Sequence, residues 1–122
     1  MNYQAKNIAV FGVSQNPSKY GYKIFSTLHE LGMSVYGLNP KGGEINGHPL
    51  FKSLTDIPVQ IEVAILVIPP AGLEQAVSAC IEKGVQEIWF QPGAQLASAF
   101  EKAQAAGLKA INGCFMAENG FW

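Results

Sequence analysis

Arginine is missing from this chain: all eight basic residues among its 122 are lysines. A planar guanidinium fork is therefore excluded, and any anion must be held by lysine point charges, hydroxyls and backbone N–H groups. With nine acidic residues the net charge is −1. Such a balance leaves no basic footprint for nucleic acid or anionic lipid, and neither is expected as a partner. Charged residues are scarce at 14%, against 48% apolar ones, so much of the apolar content must be buried in sheet. The two cysteines, Cys80 and Cys114, fall in different kinds of segment without C-x-x-C or metal-ligand spacing. This excludes a disulfide framework or a zinc site, and a reducing cytoplasm is the expected location. A basic n-region followed by a long apolar stretch is also lacking, as is any apolar run of about 18 residues, so neither secretion nor a membrane span is expected. No repeat or low-complexity stretch interrupts residues 1–122, whose length suits a single domain with one real core.

What is there is an alternation of strand and helix. Ile8–Val13 is a near-continuous apolar run ending around Gly12, the pattern of a parallel strand covered on both faces. Tyr20–Leu31 turns helical, with Ile24, Leu28 and Leu31 on one face and Gly32 as the stop. Val35–Leu38 is a short strand cut off by Asn39-Pro40. No helical period appears between Lys41 and Pro58: Gly42–Gly47 reads as turns, His48–Phe51 as an edge strand and Ser53–Ile57 as one helical turn. Val63–Ile68 is another buried strand, followed by Pro69-Pro70 and a helix whose apolar face is Leu73, Ala76, Val77, Cys80 and Ile81, stopped at Gly84. Glu87–Phe90 is a strand, Gln91-Pro92-Gly93 a sharp loop, and Leu96, Phe100 and Ala103 mark a third helix ending at Gly107. Lys109–Asn112 is the last strand, and Gly113–Trp122 is a tail whose Phe121-Trp122 could dock on a neighbour.

The expected fold is an α/β, Rossmann-like three-layer αβα domain with a mostly parallel sheet of about five to six strands. In the common strand order 3-2-1-4-5-6, the order reverses between Ile8–Val13 and Val63–Ile68. A ligand is then expected beyond their carboxyl ends, at the loops that begin with Gly12 and Pro69.

The first of these loops has the makings of a phosphate seat. Gly12 lacks a Cβ where backbone would approach a phosphate, Ser14 offers a hydroxyl, and the helix beyond directs its free N–H groups and positive dipole end there, with Lys19 and Lys23 adding charge. The plainer alternative makes Gly12 a tight turn and Ser14 or Asn16 a helix cap. A dinucleotide fingerprint G-x-G-x-x-G is absent, because Ser14 and Pro17 stand at its second and third glycine positions. After the second strand the chain has Asn39-Pro40-Lys41 instead of the carboxylate that binds the ribose diol of NAD. Neutral and cationic groups there suit a phosphorylated ribose, including that of NADP. Val67 and Ile68 offer an apolar wall, and the plainer alternative makes Pro69-Pro70 only a good strand-to-helix turn.

Taken in order, these segments resemble the small stand-alone CoA-binding domain family, related to the N-terminal domain of the succinyl-CoA synthetase alpha subunit. The resemblance covers essentially the whole chain. It rests on Gly12–Gly21, Asn39-Pro40, Glu44–Gly47, Ser53–Pro58, Ile68-Pro69-Pro70, Trp89–Gly93 and Asn112-Gly113-Cys114. It implies coenzyme A as the cofactor, with Gly12, Val13, Ser14, Lys19 and Gly21 at the phosphates and Asn39, Pro40 and Lys41 toward the 3′-phosphorylated ribose. By the same resemblance Ile68 and Pro69 lie against adenine, and Gln91 and Gly93 lie near the pantetheine arm. Cys114 matches a family cysteine that either meets the CoA thiol or simply packs. The synthetase's phosphoryl-transfer histidine belongs to a further domain that this chain lacks, so its activity does not carry over.

No catalytic set is expected. His29 reads as a boundary residue, His48 sits in a turn before Pro49, and neither has the spacing of a nucleophile–base pair. The function expected is therefore that of a module holding CoA or acyl-CoA, with a small-molecule nucleotide cofactor and a possible protein partner. The alternative is an NAD(P)-binding domain or subunit of an oxidoreductase, which the fold would serve equally well.

Overall fold

A computed structural model describes residues 2–122. Its elements run β1 (Asn7–Phe11), α1 (Tyr20–Glu30), β2 (Ser34–Leu38), β3 (Glu44–Ile45), β4 (His48–Phe51), β5 (Val63–Leu66), α2 (Leu73–Lys83), β6 (Glu87–Phe90), α3 (Ala97–Ala105), β7 (Lys109–Asn112) and α4 (Phe115–Glu118). The strands form one seven-stranded sheet in the order β3-β4-β2-β1-β5-β6-β7. Every pairing is parallel except β3 with β4. Leaving β3 aside, this is the expected 3-2-1-4-5-6 order, with the reversal between β1 and β5.

The central strands read as continuous apolar runs because both of their faces are covered. Along β1, Ile8 and Val10 point to one face while Ala9 and Phe11 point to the other, following the two-residue period of a pleated strand. The face of Ile8 and Val10 is closed by Ile24, Phe25 and Leu28 of α1 and by Phe115 and Met116 of α4. The opposite face, with Leu66, Ile88 and Phe90, is closed by α2 through Leu73, Ala76, Val77 and Cys80 and by α3 through Ala99 and Ala103. The result is the three-layer αβα, Rossmann-like fold.

Several local expectations are corrected. The sheet has seven strands because Glu44–Ile45, within the stretch expected as turns, folds back on β4, with Glu44 opposite Pro49 and Ile45 opposite His48. Between β2 and β4 lies only β3, so that crossover lacks a helix as expected, and between β4 and β5 there is a single 3-10 turn, Leu54–Asp56. Leu31 is 49% exposed and lies beyond the end of α1, the apolar face being completed instead by Phe25, 2% exposed. The tail is no free end: Phe115 and Met116 are fully buried, and the ring of Phe121 stacks on Phe115 at 5.8 Å. Phe121 thus docks on its own chain.

Candidate functional site

β1 ends at Phe11, one residue before Gly12, and the loop that follows is pinned back to β2. The N–H groups of Gly12 and Val13 both donate to the Leu38 carbonyl, at 3.1 and 3.0 Å. Gly12 adopts φ +88°, and a Cβ on it would run into the backbone carbonyl of Val67 and lie 2.9 Å from the Ile68 side chain. The space freed by this glycine is therefore filled by the protein itself at the β1–β5 crossing. Gly21 repeats the device one layer up, because a Cβ there would strike the Gly12 carbonyl. Together the two glycines draw the first turn of α1 down onto the loop at the order reversal.

Within the loop the Ser14 hydroxyl accepts from the Asn16 N–H at 3.0 Å, and the Asn16 side-chain oxygen accepts from the Ser18 N–H and hydroxyl at 3.0 and 2.8 Å. These bonds shape the turn around Pro17, and neither Ser14 nor Asn16 caps α1. The N-cap residue is Lys19, whose side chain makes no capping bond, and no acid stands in the first turn. The positive end of this helix keeps its uncompensated N–H groups for whatever lies above the loop.

Asn39 is committed on both ends of its amide. Its nitrogen donates to the Val13 carbonyl at 2.9 Å, and its oxygen accepts from the Lys41 N–H at 2.8 Å. The residue ties the β1–α1 loop to the end of β2, so its role is to hold the crevice together more than to offer a free amide. Pro40 follows into the crevice wall, while Lys41 points to solvent.

Two cavities open at this carboxyl edge. The larger, about 420 Å³, lies on the α2 side and includes Gly12, Pro40 and Ile68 from the expected set. Its remaining walls were not expected: Phe11, Leu38 and Leu54 supply apolar surface, Ala76 and Ala79 line the α2 side, and Lys52, Ser53 and Gln75 supply polar groups. The smaller, about 70 Å³, lies on the α1 side between Tyr20, Val67, Gln91, Pro92 and Cys114. Adjacent residues Val67 and Ile68 thus line one cavity each. Val13 and Gly21 are buried beneath the loop, while Ser14, Lys19, Lys41, Pro69 and Gly93 stand around the edge and line neither cavity.

In the smaller cavity Gln91 is 3% exposed and its side-chain oxygen accepts from the Phe115 N–H at 2.8 Å. Cys114 caps α4, its sulfur accepting from the Ala117 N–H at 3.5 Å, while still facing the cavity. Burial pushes the thiol of Cys80 up to about 12, which keeps it protonated and inert in the core.

The histidines sit elsewhere. Their rings stack at 3.7 Å between α1 and β4, next to Phe25, and neither lines the cavities just described. Burial first, and the neighbouring His48 second, hold His29 below its usual 6.5. Among the described residues no group of His, Cys, Asp or Glu is arranged to hold a metal ion. No helix among them is long and apolar enough to cross a membrane.

Fold and site together define an αβα domain with two cavities at the strand-order reversal and a closed, glycine-packed loop beneath an uncapped helix. The chain belongs to the CoA-binding domain family, whose model matches residues 6–120. It is 37% identical over 87 residues to the alpha subunit of ADP-forming acetate–CoA ligase II of Pyrococcus furiosus, covering 70% of this chain and 19% of that protein. To ADP-forming acetate–CoA ligase I of Archaeoglobus fulgidus it is 35% identical over 108 residues, covering 88% of this chain and 15% of that one. The chain thus spans a fifth or less of the length of these curated relatives. Among solved structures it is similar to a hypothetical protein from Pyrococcus horikoshii OT3, with a TM-score of 0.90 and 35% identity over 98% of this chain and 83% of that one. A Thermus thermophilus protein matches with a TM-score of 0.88 and 25% identity, over 98% and 94% of the two chains.

Proposed function

We propose that this chain binds coenzyme A or an acyl-CoA across the carboxyl edge of its sheet, without carrying out chemistry on its own. The observation that carries this reading is the pair of cavities on either side of the β1–β5 crossing. A ligand with a flat apolar base at one end, phosphates in the middle and a long thin arm at the other matches their sequence. The base lies in the larger cleft against Ile68 and Leu54, and the phosphates lie over Gly12 at the free N–H groups of α1, with Lys19 nearby. The arm ends beside Cys114. The 3′-phosphate falls to the lysines: Lys41 at the rim and Lys52, which lines the cleft. Both are exposed, so each contributes of order 1 kcal/mol and less as salt is added.

NAD fits less well. Its ribose diol needs a carboxylate after β2, where this chain has Asn39 with both ends of its amide already bonded. Self-sufficient catalysis lacks parts: the two histidines pair with each other away from the cleft, and no base lies beside Cys114 in its cavity. A partner chain that performs the chemistry is in keeping with the ligase relatives, in which the matching segment is only a small part.

Calorimetry and thermal unfolding with CoA, dephospho-CoA and NAD test the proposal. CoA is expected to bind most tightly, and at ~100 times its dissociation constant it should add about 2.7 kcal/mol to stability. Lys52→Ala should narrow the gap between CoA and dephospho-CoA. Tight NAD binding without CoA binding would overturn the reading.

A further inference from the structure

β7 ends the sheet on one side and has no strand beyond it. Its register with β6 sets Lys109 opposite Glu87 and Ile111 opposite Trp89. The Lys109 N–H donates to the Gln86 carbonyl, and the Gly113 N–H donates to that of Phe90. Lys109, Ile111 and Gly113 thus turn their backbone groups inward, and by the two-residue period Ala110 and Asn112 turn theirs outward. This edge has neither a proline nor a bulge to keep other strands away, and its lysine is drawn toward buried Glu87, with Nζ 3.8 Å from Oε1. Ala110 and Ile111 are only half-buried, whereas every residue of β6 is buried. α4 does not shield the edge, because buried Phe115 and Met116 carry it back over the sheet.

One register of a second copy satisfies both outward residues at once. With a two-fold axis through Ile111, Ala110 faces Asn112 of the other copy and Asn112 faces its Ala110, so all the outward N–H and C=O groups pair. The same register sets Lys109 opposite Gly113 of the other copy. Gly113 has no side chain, and the place where its Cβ would stand is taken by the carboxylate of Glu118. That carboxylate is exposed and has no ion-pair partner among the described residues. Opposite residues of such a non-hydrogen-bonded pair stand about 4.5 Å apart at Cα, within reach of an ion pair from each Lys109 to the Glu118 of the other copy.

We infer that β7 is the contact edge of a symmetric dimer of this chain, in which two seven-stranded sheets join antiparallel and Lys109–Glu118 pairs flank the axis. The charge fit is what selects a second copy as the occupant. Cation and anion lie on one face, at equal distances to either side of Ile111, so the two-fold brings opposite signs together twice. At the axis Ile111 meets its own counterpart and covers the apolar surface that β7 leaves open. The joined strands run in opposite directions, so the two crevices open at opposite ends of the combined sheet, and the inference does not depend on what they bind. A strand edge this short makes a small interface, and the dimer is expected to exchange with monomer as the chain is diluted.

The test is sedimentation equilibrium of the wild-type chain, Asn112→Pro and Glu118→Lys, from about 10 μM to about 1 mM. Because the Asn112 N–H points away from β6, a proline there removes an outward donor and leaves the β6–β7 ladder whole. The wild type is expected to approach twice its monomer mass as concentration rises, and to do so less readily in high salt. Asn112→Pro should stay monomeric throughout. Glu118→Lys, at an exposed position that folding does not use, sets like charges opposite each other and should weaken the dimer about tenfold. It carries the test alone should the proline variant fail to fold. A wild type that stays monomeric up to about 1 mM, or a dimer as tight in either folded variant as in the wild type, would overturn the inference.

Discussion

At the residue scale, the two histidines make a local pH dependence that no catalytic reading requires. His29 is held below 6.5 in the folded chain by burial and by His48, so it stays neutral there at pH values where an unfolded chain would already take up a proton. Between the two values the unfolded state binds more protons, and stability therefore falls as the pH drops through 6.5 toward the folded value. Thermal midpoints measured from about pH 7.5 down to about pH 5.5 should decline, and His29→Gln should flatten that part of the curve. His48→Gln removes the lesser of the two causes, so it should flatten the curve only partly. A wild-type slope matched by His29→Gln would show that other groups set it.

At the element scale, the junction of β1, α1 and β5 tolerates no added atom. Gly12→Ala would place a methyl group against the Val67 carbonyl at a positive φ, and backbone cannot move aside without pulling β5 from β1. The expected cost is about 2–4 kcal/mol or outright failure to fold, read by urea unfolding. Gly113→Ala offers the contrast: its Cβ would meet only the carboxylate tip of exposed Glu118, which can swing away. That variant should stay within about 0.5 kcal/mol of the wild type. Gly12 was legible as special in the sequence, but its reason was not, since the atom that excludes a Cβ there comes from Val67, over fifty residues away in the chain. Strands and their order were readable for a different cause: parallel strands buried on both faces leave continuous apolar runs such as Val63–Leu66, whereas β3 has only Glu44 and Ile45 and no periodicity to show. The cleft wall at Lys52 and Ser53 also escaped, because nothing local distinguishes a polar linker from one that folds over a cavity.

At the scale of the whole molecule, the tail belongs to the core. Gln91, at the end of β6, holds α4 in place through the Phe115 N–H, and the Phe121 N–H closes the segment by donating to the Met116 carbonyl at 2.8 Å. Gln91→Leu keeps the volume and removes the acceptor, leaving a buried N–H unpaired at a cost of about 1–3 kcal/mol. Urea unfolding should register that loss, and amide exchange from Phe115 onward should quicken; unchanged exchange there would mean that apolar packing alone seats the tail. From the sequence this segment reads as free because a helix of four residues carries no repeat, and what anchors it is a glutamine on another strand.

The separation of the two cavities by a single peptide step, Val67 to Ile68, has a consequence for how a ligand leaves. A molecule lodged in both is gripped on opposite faces of one sheet, so release of either end keeps the other at a high effective concentration near its seat, and escape requires both to let go within the same interval. Halves of such a ligand, offered separately, lose this chelate advantage and should exchange rapidly, while the intact molecule straddles the sheet edge like a saddle and departs slowly.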